Sequence, residues 1–396
     1  MQAPLPDPKN AGTVIVGMSG GVDSAVATLL LRDAGYDVQG LFMANWDDED
    51  GYCTTATDYQ DARRTCAALG VALHRVSFAA EYRTQVFEYF LRDYAAGRTP
   101  NPDVLCNREI KFGVCLNYMH RLGASWIATG HYAQVRHGES GARLHKAADD
   151  SKDQSYFLHS ISATALNKTL FPIGHLRKAE VRQIAHAAGL PVYDKPDSTG
   201  ICFIGERPFA QFLSRHLQMQ PGPIETAEGR VIGEHRGLAL YTLGQRSGIG
   251  LGGRADAAAA PWYVAHKDVA RNALIVVQRP DHPLLLADHF SLESMHWIDP
   301  ADADSVRAIR CAVKTRYRQR DLECSLSSIG LSSTGQCDWE VCLDEPARAI
   351  TPGQYAVFYA GDRCLGGGII SRHWTSHAAR GTAEITYNSG FLAERS

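Results

Sequence analysis

The residue types best able to do chemistry sit in three places: a short run from Gly17 to Ser24, the pair Asp103 and Cys106, and Cys202. The run Gly17-Met18-Ser19-Gly20-Gly21-Val22-Asp23-Ser24 follows one apolar stretch and opens another. In a strand-to-helix turn, backbone N–H groups and the helix dipole converge on an anion, so phosphate is the expected ligand. The run lacks the spacing and the lysine of a Walker loop, and it lacks the G-x-G-x-x-G of a dinucleotide fold. In "TPNPDVLCNREIKFG", Asp103 and Cys106 stand three residues apart after Pro100 and Pro102, at the start of a predicted helix that continues through "IKFGVCLNYMHRL". Prolines make the approach rigid, and a cysteine in a first helical turn has its thiolate favoured by the dipole. Cys106 is therefore a candidate nucleophile, against the plainer reading of a helix start capped by Asp103; Cys115, further along, reads as core. Cys202, in "KPDSTGICFIGER", lies between two glycines after a polar turn. Such a loop suits a cysteine that must approach both a donor protein and a buried site, although a buried structural cysteine fits equally well.

Elements that would position these residues follow from periodicity. From Thr13 to about Phe203, short apolar runs alternate with amphipathic stretches, the pattern of a parallel sheet with crossover helices. "TVIVGM", "DVQGLFM", "VALHRVSF" and "SWIATG" read as strands; "SAVATLLLRDAGY", "DYQDARRTCAALG" and "TQVFEYFLRDYAAG" read as helices, the first two closed by glycine. Ligands of such sheets bind at the carboxyl ends of the strands. A glycine-rich stretch after about residue 212 predicts a small connecting domain, and from about Pro280 strands dominate, predicting a small antiparallel barrel or sandwich. The expected domains are 11–212, 213–282 and 283–396. In "CAVKTRYRQRDL" an extended strand would place Lys314, Arg316, Arg318 and Arg320 on one face, with Val313, Thr315 and Tyr317 on the other. Four aligned cations would suit a phosphate backbone, or else blunt a sheet edge.

Composition narrows the class. The chain has 396 residues, enough for two or three domains, each with its own core. Forty basic against forty-three acidic side chains give a net charge of -3, so no global positive field points to a nucleic acid. Ten cysteines include no C-x-x-C pair, which removes the usual mark of a zinc ribbon or dithiol redox site, and no metal site is expected. "MQAPLPDPKN" has no targeting pattern, and no apolar run approaches the roughly 18 to 20 residues of a membrane span. No membrane partner and a cytoplasmic location are expected.

The string Ser-Gly-Gly-x-Asp-Ser resembles the PP-loop of ATP pyrophosphatases, which cleave ATP between the α and β phosphates. The resemblance implies a PP-loop catalytic domain of the adenine nucleotide alpha hydrolase-like kind, with Ser19, Gly20, Gly21 and Ser24 around the pyrophosphate and Asp23 helping to place Mg2+. Together with "LFMANW", "TPNPDVLCNREIKF", "ATGHYA", "KDQSYFL", "FPIGHLRKAEVR", "DSTGICFIG", "YTLGQRSGIGLGG" and "KTRYRQ", it makes the chain resemble the tRNA-specific 2-thiouridylases, the MnmA family, from Gly17 to about Gly368.

That family replaces the position-2 oxygen of the wobble uridine with sulfur in tRNAs for lysine, glutamate and glutamine. A uracil carbonyl oxygen leaves poorly, so adenylation by ATP converts it into departing AMP. By similarity, Cys202 carries a persulfide delivered by a sulfur-relay or cysteine-desulfurase-derived donor protein, and Cys106 closes a disulfide with Cys202 as sulfur passes to the base. Asp103 is implied as general acid or base. Asn101, Pro102, Asp103 and His131 are implied around the splayed-out uridine, and Lys152, Asp153, Gln154, Arg316, Tyr317 and Gln354 as tRNA contacts. Met43 and Gly130 are implied beside the nucleotide, with the residues from Gly17 to Ser24.

Two other classes share some features. A PP-loop enzyme adenylating a small molecule would share the glycine run but have no use for Asp103, Cys106 or Cys202, and an RNA-binding protein with a degenerate loop would not keep that run intact. Thiolases with iron–sulfur clusters use C-x-x-C pairs, absent here, although Cys106 and Cys202 leave room for a labile metal.

Overall fold

In the computed structural model, residues 7–46, 55–138, 141–197, 200–201, 203–205, 207–251, 260–304, 308–331 and 337–375 are described. Strands β1 (Thr13–Met18), β2 (Asp37–Ala44), β3 (Ala72–Ser77) and β4 (Trp126–Thr129) form a parallel sheet. A two-residue strand at Thr169–Leu170 completes the order β3-β2-β1-β4 followed by that strand. Val14, Val16 and Met18 of β1 pack into one apolar cluster, and Ile15 into another on the opposite face. Both faces of the central strand are thus covered, as the unbroken apolar run requires.

Helices α1 (Val22–Asp33) and α2 (Thr55–Leu69) are the expected crossovers, and Gly35 and Gly70 follow them at φ +89° and +68°. Helices α3 (Ala79–Tyr82) and α4 (Glu88–Ala95) are joined through a π turn, Arg83–Phe87. The helix carrying the cysteine also departs from α geometry. Pro102 opens α5 (Pro102–Leu105), the backbone widens into a π stretch over Cys106–Val114, and α6 (Cys115–Arg121) completes it. Such wide turns are rare and are frequently found at functional sites.

The chain then makes a hairpin that the sequence pattern did not reveal, β5 (Gln134–Gly138) and β6 (Gly141–His145). Its β6 strand pairs not with the parallel sheet but with Arg363, near the chain's far end. The short strand at Thr169–Leu170 is β7, and β8 (Gly222–Thr226), β9 (Val231–His235), β10 (Tyr263–Asp268) and β11 (Ala273–Val277) form a separate four-stranded sheet in the order β10-β11-β8-β9. Strands β12 (Leu286–Trp297), β13 (Ala308–Lys314), β14 (Leu322–Leu331), β15 (Cys337–Arg348), β16 (Tyr355–Ala360) and β17 (Arg363–Trp374) close into an antiparallel barrel through pairing of β12 with β17. Phe290, Val313, Leu326, Val341, Phe358 and Ile370 fill it.

One expected strand is corrected. The extended run predicted through "CAVKTRYRQRDL" ends at Lys314 and turns. The Gln319 side-chain oxygen accepts from Thr315 N at 2.8 Å, Thr315 Oγ1 at 2.9 Å and Arg316 N at 3.1 Å, taking amides that a neighbouring strand would need. Arg318 follows at φ +63°. The four cations consequently lie in four settings rather than on one face. Lys314 faces Asp153 and Asp321 at 3.8 Å, and Arg316 turns inward. Arg318 lies over the Tyr317 ring, and Arg320 is exposed beside Glu345.

Candidate active site

The glycine run is folded around its own serines. Ser19 N donates to Ser24 Oγ at 3.2 Å, Gly21 N to Ser19 Oγ at 3.3 Å, and Ser24 Oγ to Gly21 O at 3.1 Å. Gly20 has φ +77°, and a Cβ there would lie 2.3 Å from the Asp58 carbonyl oxygen, so only glycine fits. Gly21 is the N-cap of α1 and supplies no side-chain cap, which leaves first-turn amides for a ligand. The donors left open at this terminus therefore suit a phosphate group.

Val22 is buried, and Met18 is anchored below the loop, its sulfur accepting from Thr28 Oγ1 at 3.1 Å. Gly17 looks across to Thr129 and to Met43 Cε. Gly130 ends β4 against the loop: a Cβ there would lie 2.6 Å from Asp23 C and Ser24 N. Met43 and Gly130 thus lie beside the run at the carboxyl edge of the sheet, where the α/β rule puts a ligand.

Around the loop lies a set of charges in which Lys178, Arg182, Lys195, Asp58, Asp61 and Asp197 join Asp23 and Lys152, the six having been given no role by the sequence. Lys178 Nζ reaches Asp23 Oδ1 at 2.7 Å and Oδ2 at 2.9 Å, and Tyr132 OH donates to Asp23 Oδ1 at 2.8 Å. Lys178 also pairs with Asp197 at 2.8 Å, which Lys152 and Arg182 share at the same distance. Burial would raise the Asp197 carboxyl, but Lys152 and Lys178 outweigh it and hold it at about 2. Lys195 bonds to Gly20 O at 3.0 Å, Asp58 at 2.7 Å and Asp61 at 2.6 Å, tying the loop to α2. Lys178 and Asp197 lie inside "FPIGHLRKAEVR" and "DSTGICFIG", so the signal was present, but no spacing rule links Lys178 to Asp23, 155 positions away.

For Mg2+ the fit is that of a cation carried by phosphates. Among the described residues no group of three or more His, Cys, Asp or Glu could hold a metal. The Asp23 carboxylate, 31% exposed, is the one carboxylate of the loop that could meet such an ion, and Mg2+ in such sites relies on one or two carboxylates plus substrate phosphates.

The second half of the site is the helix beginning at Pro102. Asn101 is its N-cap and makes no capping bond, and Pro102 is buried. Asp103 is partly buried, and burial pushes its carboxyl above the ordinary range while Lys111 pulls the other way. Cys106 is buried, 5% exposed, and begins the π stretch. Cys115 is core, as expected, its thiol pushed up to about 12 by burial.

His131 follows Gly130 directly. Its Nδ1 lies 2.7 Å from Thr129 Oγ1 and its Nε2 3.4 Å from Lys111 Nζ. Burial and the Lys111 charge hold its pKa well below normal, so the imidazole is neutral. Because the ammonium can only donate, the ring proton is assigned to Nδ1 and donated to Thr129. Gly130 and His131 thereby join the two halves: one touches the glycine loop, the other touches Lys111.

Cys202, and with it the disulfide expected with Cys106, lies outside the described residues. Its neighbour Phe203 is fully buried, with ring centroids 5.0 Å from Phe90 and 5.2 Å from Phe87.

The remaining candidates lie at junctions. Asp153 is buried and accepts from Ala147 N and Ser155 N, while Gln154 exchanges bonds with the Tyr132 backbone, its Oε1 accepting at 2.9 Å. Arg316 Nη2 donates to Leu243 O, Ala349 O and Thr351 Oγ1, each at 2.8 Å. Tyr317 packs on Phe157, ring centroids 4.4 Å apart. Gln354 Nε2 donates to Thr99 O at 2.8 Å, and Thr99 N to Pro352 O at 3.1 Å, so the barrel grips the loop leading into Asn101 and Asp103.

Known proteins match this chain along most of its length. Residues 12–206 match the model of the tRNA methyl transferase HUP domain, 210–278 the tRNA methyl transferase PRC-barrel domain, and 287–370 the aminomethyltransferase beta-barrel domain. The tRNA-specific 2-thiouridylase MnmA of Methylococcus capsulatus is 54% identical over 90% of this chain and 95% of its own length. That of Chromohalobacter salexigens is 54% identical over 93% and 94%. Among solved structures, the U34-tRNA thiolase NcsA from Methanococcus maripaludis is similar over 54% of this chain and 67% of that one, at 18% identity and a TM-score of 0.35, too low to bear on function. Identity above one half along nearly the full length of both chains places this protein in the tRNA-specific 2-thiouridylase MnmA family.

Proposed function

We propose that this chain is an ATP-dependent tRNA-uridine 2-sulfurtransferase that makes 2-thiouridine at the wobble position of lysine, glutamate and glutamine tRNAs. One observation carries the reading: Gly130 and His131 join a phosphate-type loop to a helix bearing Asp103 and Cys106. An enzyme adenylating a small molecule would need the first half only.

In this reading the α1 amides and the Ser19–Ser24 loop bind the β and γ phosphates of ATP, while Lys178 and Lys195 hold Asp23 and the loop in register. Mg2+, held through Asp23, would neutralise phosphate charge. Asn101, Pro102 and His131 wall the splayed uridine. Asp103, its carboxyl raised by burial, takes up or returns a proton as general acid or base. The terminal sulfur of a Cys202 persulfide supplied by a donor protein bonds to C2 while still attached to Cys202 Sγ, and the uracil oxygen leaves as AMP. The Cys106 thiolate then attacks Cys202 Sγ, the bond from Sγ to the sulfur on C2 breaks with its electron pair passing to the 2-thiouracil, and the resulting Cys106–Cys202 disulfide is reopened by a reductant. Arg316, Tyr317, Lys152, Asp153, Gln154 and Gln354 are the proposed tRNA-side residues, and the proposed domains are 11–212, 213–282 and 283–396. No described helix is long and apolar enough to cross a membrane, and a cytoplasmic location is proposed with the tRNA substrate.

The test combines the protein with unmodified glutamate tRNA, Mg-ATP, a sulfide source and a reductant. The digest should contain 2-thiouridine with stoichiometric AMP and pyrophosphate. AMP without thiouridine would count against this acceptor or this route of sulfur.

A further inference from the structure

Lys111 has a position that the reading above leaves without a task. An ammonium has three N–H donors. One points to His131 Nε2 at 3.4 Å, and among the described residues Lys111 makes no ion pair within 4.0 Å, although its charge is felt by the Asp103 carboxyl. Among the described residues, two donors therefore meet no hydrogen-bond acceptor, on a side chain that is only partly exposed. Unpaired cations in such places are costly unless something anionic comes to meet them.

The backbone explains the direction of the side chain. In an α-helix residue i+5 lies roughly 140° around the axis from residue i, but the π turn's wider winding brings it back toward the same face. Cys106 and Lys111 are five apart within that π stretch. Lys111 thus shares a face with Cys106, its charge is felt by Asp103, and it touches His131, one residue from the Gly130 contact with the glycine loop. It lies between the groups assigned to the uracil and those assigned to phosphate.

We infer that Lys111 is a further catalytic residue, which donates to the position-2 oxygen of the uracil as negative charge collects there during adenylation. The inference rests on the function proposed above. In the step, the uracil N3–H proton passes to the Asp103 carboxylate, the N3 electron pair forms the N3=C2 bond, and the C2=O2 pair moves onto O2. That oxygen bonds to the α phosphorus of ATP, and the bond from the α phosphorus to the bridging oxygen breaks, pyrophosphate leaving with the electron pair. His131, neutral and fixed to Thr129, holds the ammonium in place without neutralising it. A donor aimed at developing charge in a site of low dielectric is worth more than the same donor in water.

The experiment measures single-turnover, tRNA-dependent AMP release by the full-length protein, its Lys111→Met variant and its Lys111→Arg variant. Each is tested on tRNA with uridine and on tRNA with 5-fluorouridine at the wobble position. Thermal stability and tRNA affinity are measured alongside. Lys111→Met should lose about 10²- to 10³-fold in AMP release with tRNA affinity unchanged, and Lys111→Arg should lose less. The more acidic N3–H of 5-fluorouridine should restore on the order of tenfold to the Met variant and little to the parent, because a better-stabilised anion needs less help. A Met variant within threefold of the parent, or a loss that 5-fluorouridine leaves untouched, would overturn the assignment. Absence of tRNA-dependent AMP from the parent itself would overturn the functional reading and this inference with it.

Discussion

Lys178 grips both carboxylate oxygens of Asp23 although the two residues are 155 positions apart. The contact brings the start of the helix Lys178–Ala187 onto the glycine loop, with Tyr132 as a third member. Lys178→Met should leave Asp23 next to Asp197 with less compensating charge and remove a cation from the phosphate site. We expect a loss on the order of 10²- to 10³-fold in tRNA-dependent AMP release. Isothermal titration with a non-hydrolysable ATP analogue should show weakened binding, while the far-ultraviolet circular dichroism stays unchanged.

Gly20→Ala tests the shape of the loop. The substitution meets a left-handed backbone and the Asp58 carbonyl at 2.3 Å, which is backbone and cannot rotate away. The left-handed conformation alone costs about 1–2 kcal/mol, and the overlap forces α2 and the loop apart. ATP binding should be lost in the same titration, with only a modest fall in melting temperature.

Asp103 is expected to trade stability for activity. Burial holds its carboxyl above the ordinary value despite the opposing Lys111 charge, so the ionised form is disfavoured in the folded state. The cost is absent below the unfolded-chain value of about 4 and grows as pH rises through the folded value. Asp103→Asn should therefore be inactive yet more stable than the parent at pH 8, and the advantage should shrink as pH falls toward about 4. Melting temperatures of both proteins across that range check it. A variant less stable than the parent at pH 8 would refute the assigned direction.

Gln354 ties the barrel to the loop before Asn101 through its 2.8 Å bond to the Thr99 carbonyl. Gln354→Ala leaves that oxygen without this donor, at a cost of about 1–3 kcal/mol if it stays dry, and frees the pocket wall to shift. Small misplacements in a reacting pair are expensive, so single-turnover thiolation should slow about tenfold. Filter binding separates the two roles open to this residue. Unchanged tRNA affinity with slowed chemistry marks a positioning role, whereas weakened affinity with normal chemistry marks direct contact with RNA.

The local sequence determined more of the first domain than of its connections. β1, β2, α1 and the glycine loop were legible because their signals are local: an unbroken apolar run, a 3.6-residue period, glycines where φ is positive. "CAVKTRYRQRDL" misled because alternation describes a strand only while the amides stay available, and the Gln319 side chain takes them at Thr315 and Arg316. The β5–β6 hairpin was likewise hidden, since its partner, Arg363, lies more than 200 residues further on.

Asp103 and Cys106 could be picked out because proline spacing and a helix start are sequence properties. Lys111 could not, because a spacing of five has no meaning on an α-helix and acquires one only in the π stretch. Lys178, Lys195 and Asp197 were equally silent: ion pairs depend on distance in space, and nothing in a chain's local pattern records which distant charge will meet which. Residue types and local periods therefore determined β1, β2, α1, the loop and the candidate nucleophile, while tertiary folding alone decided which charges surround the loop and which side chains share the face of Cys106.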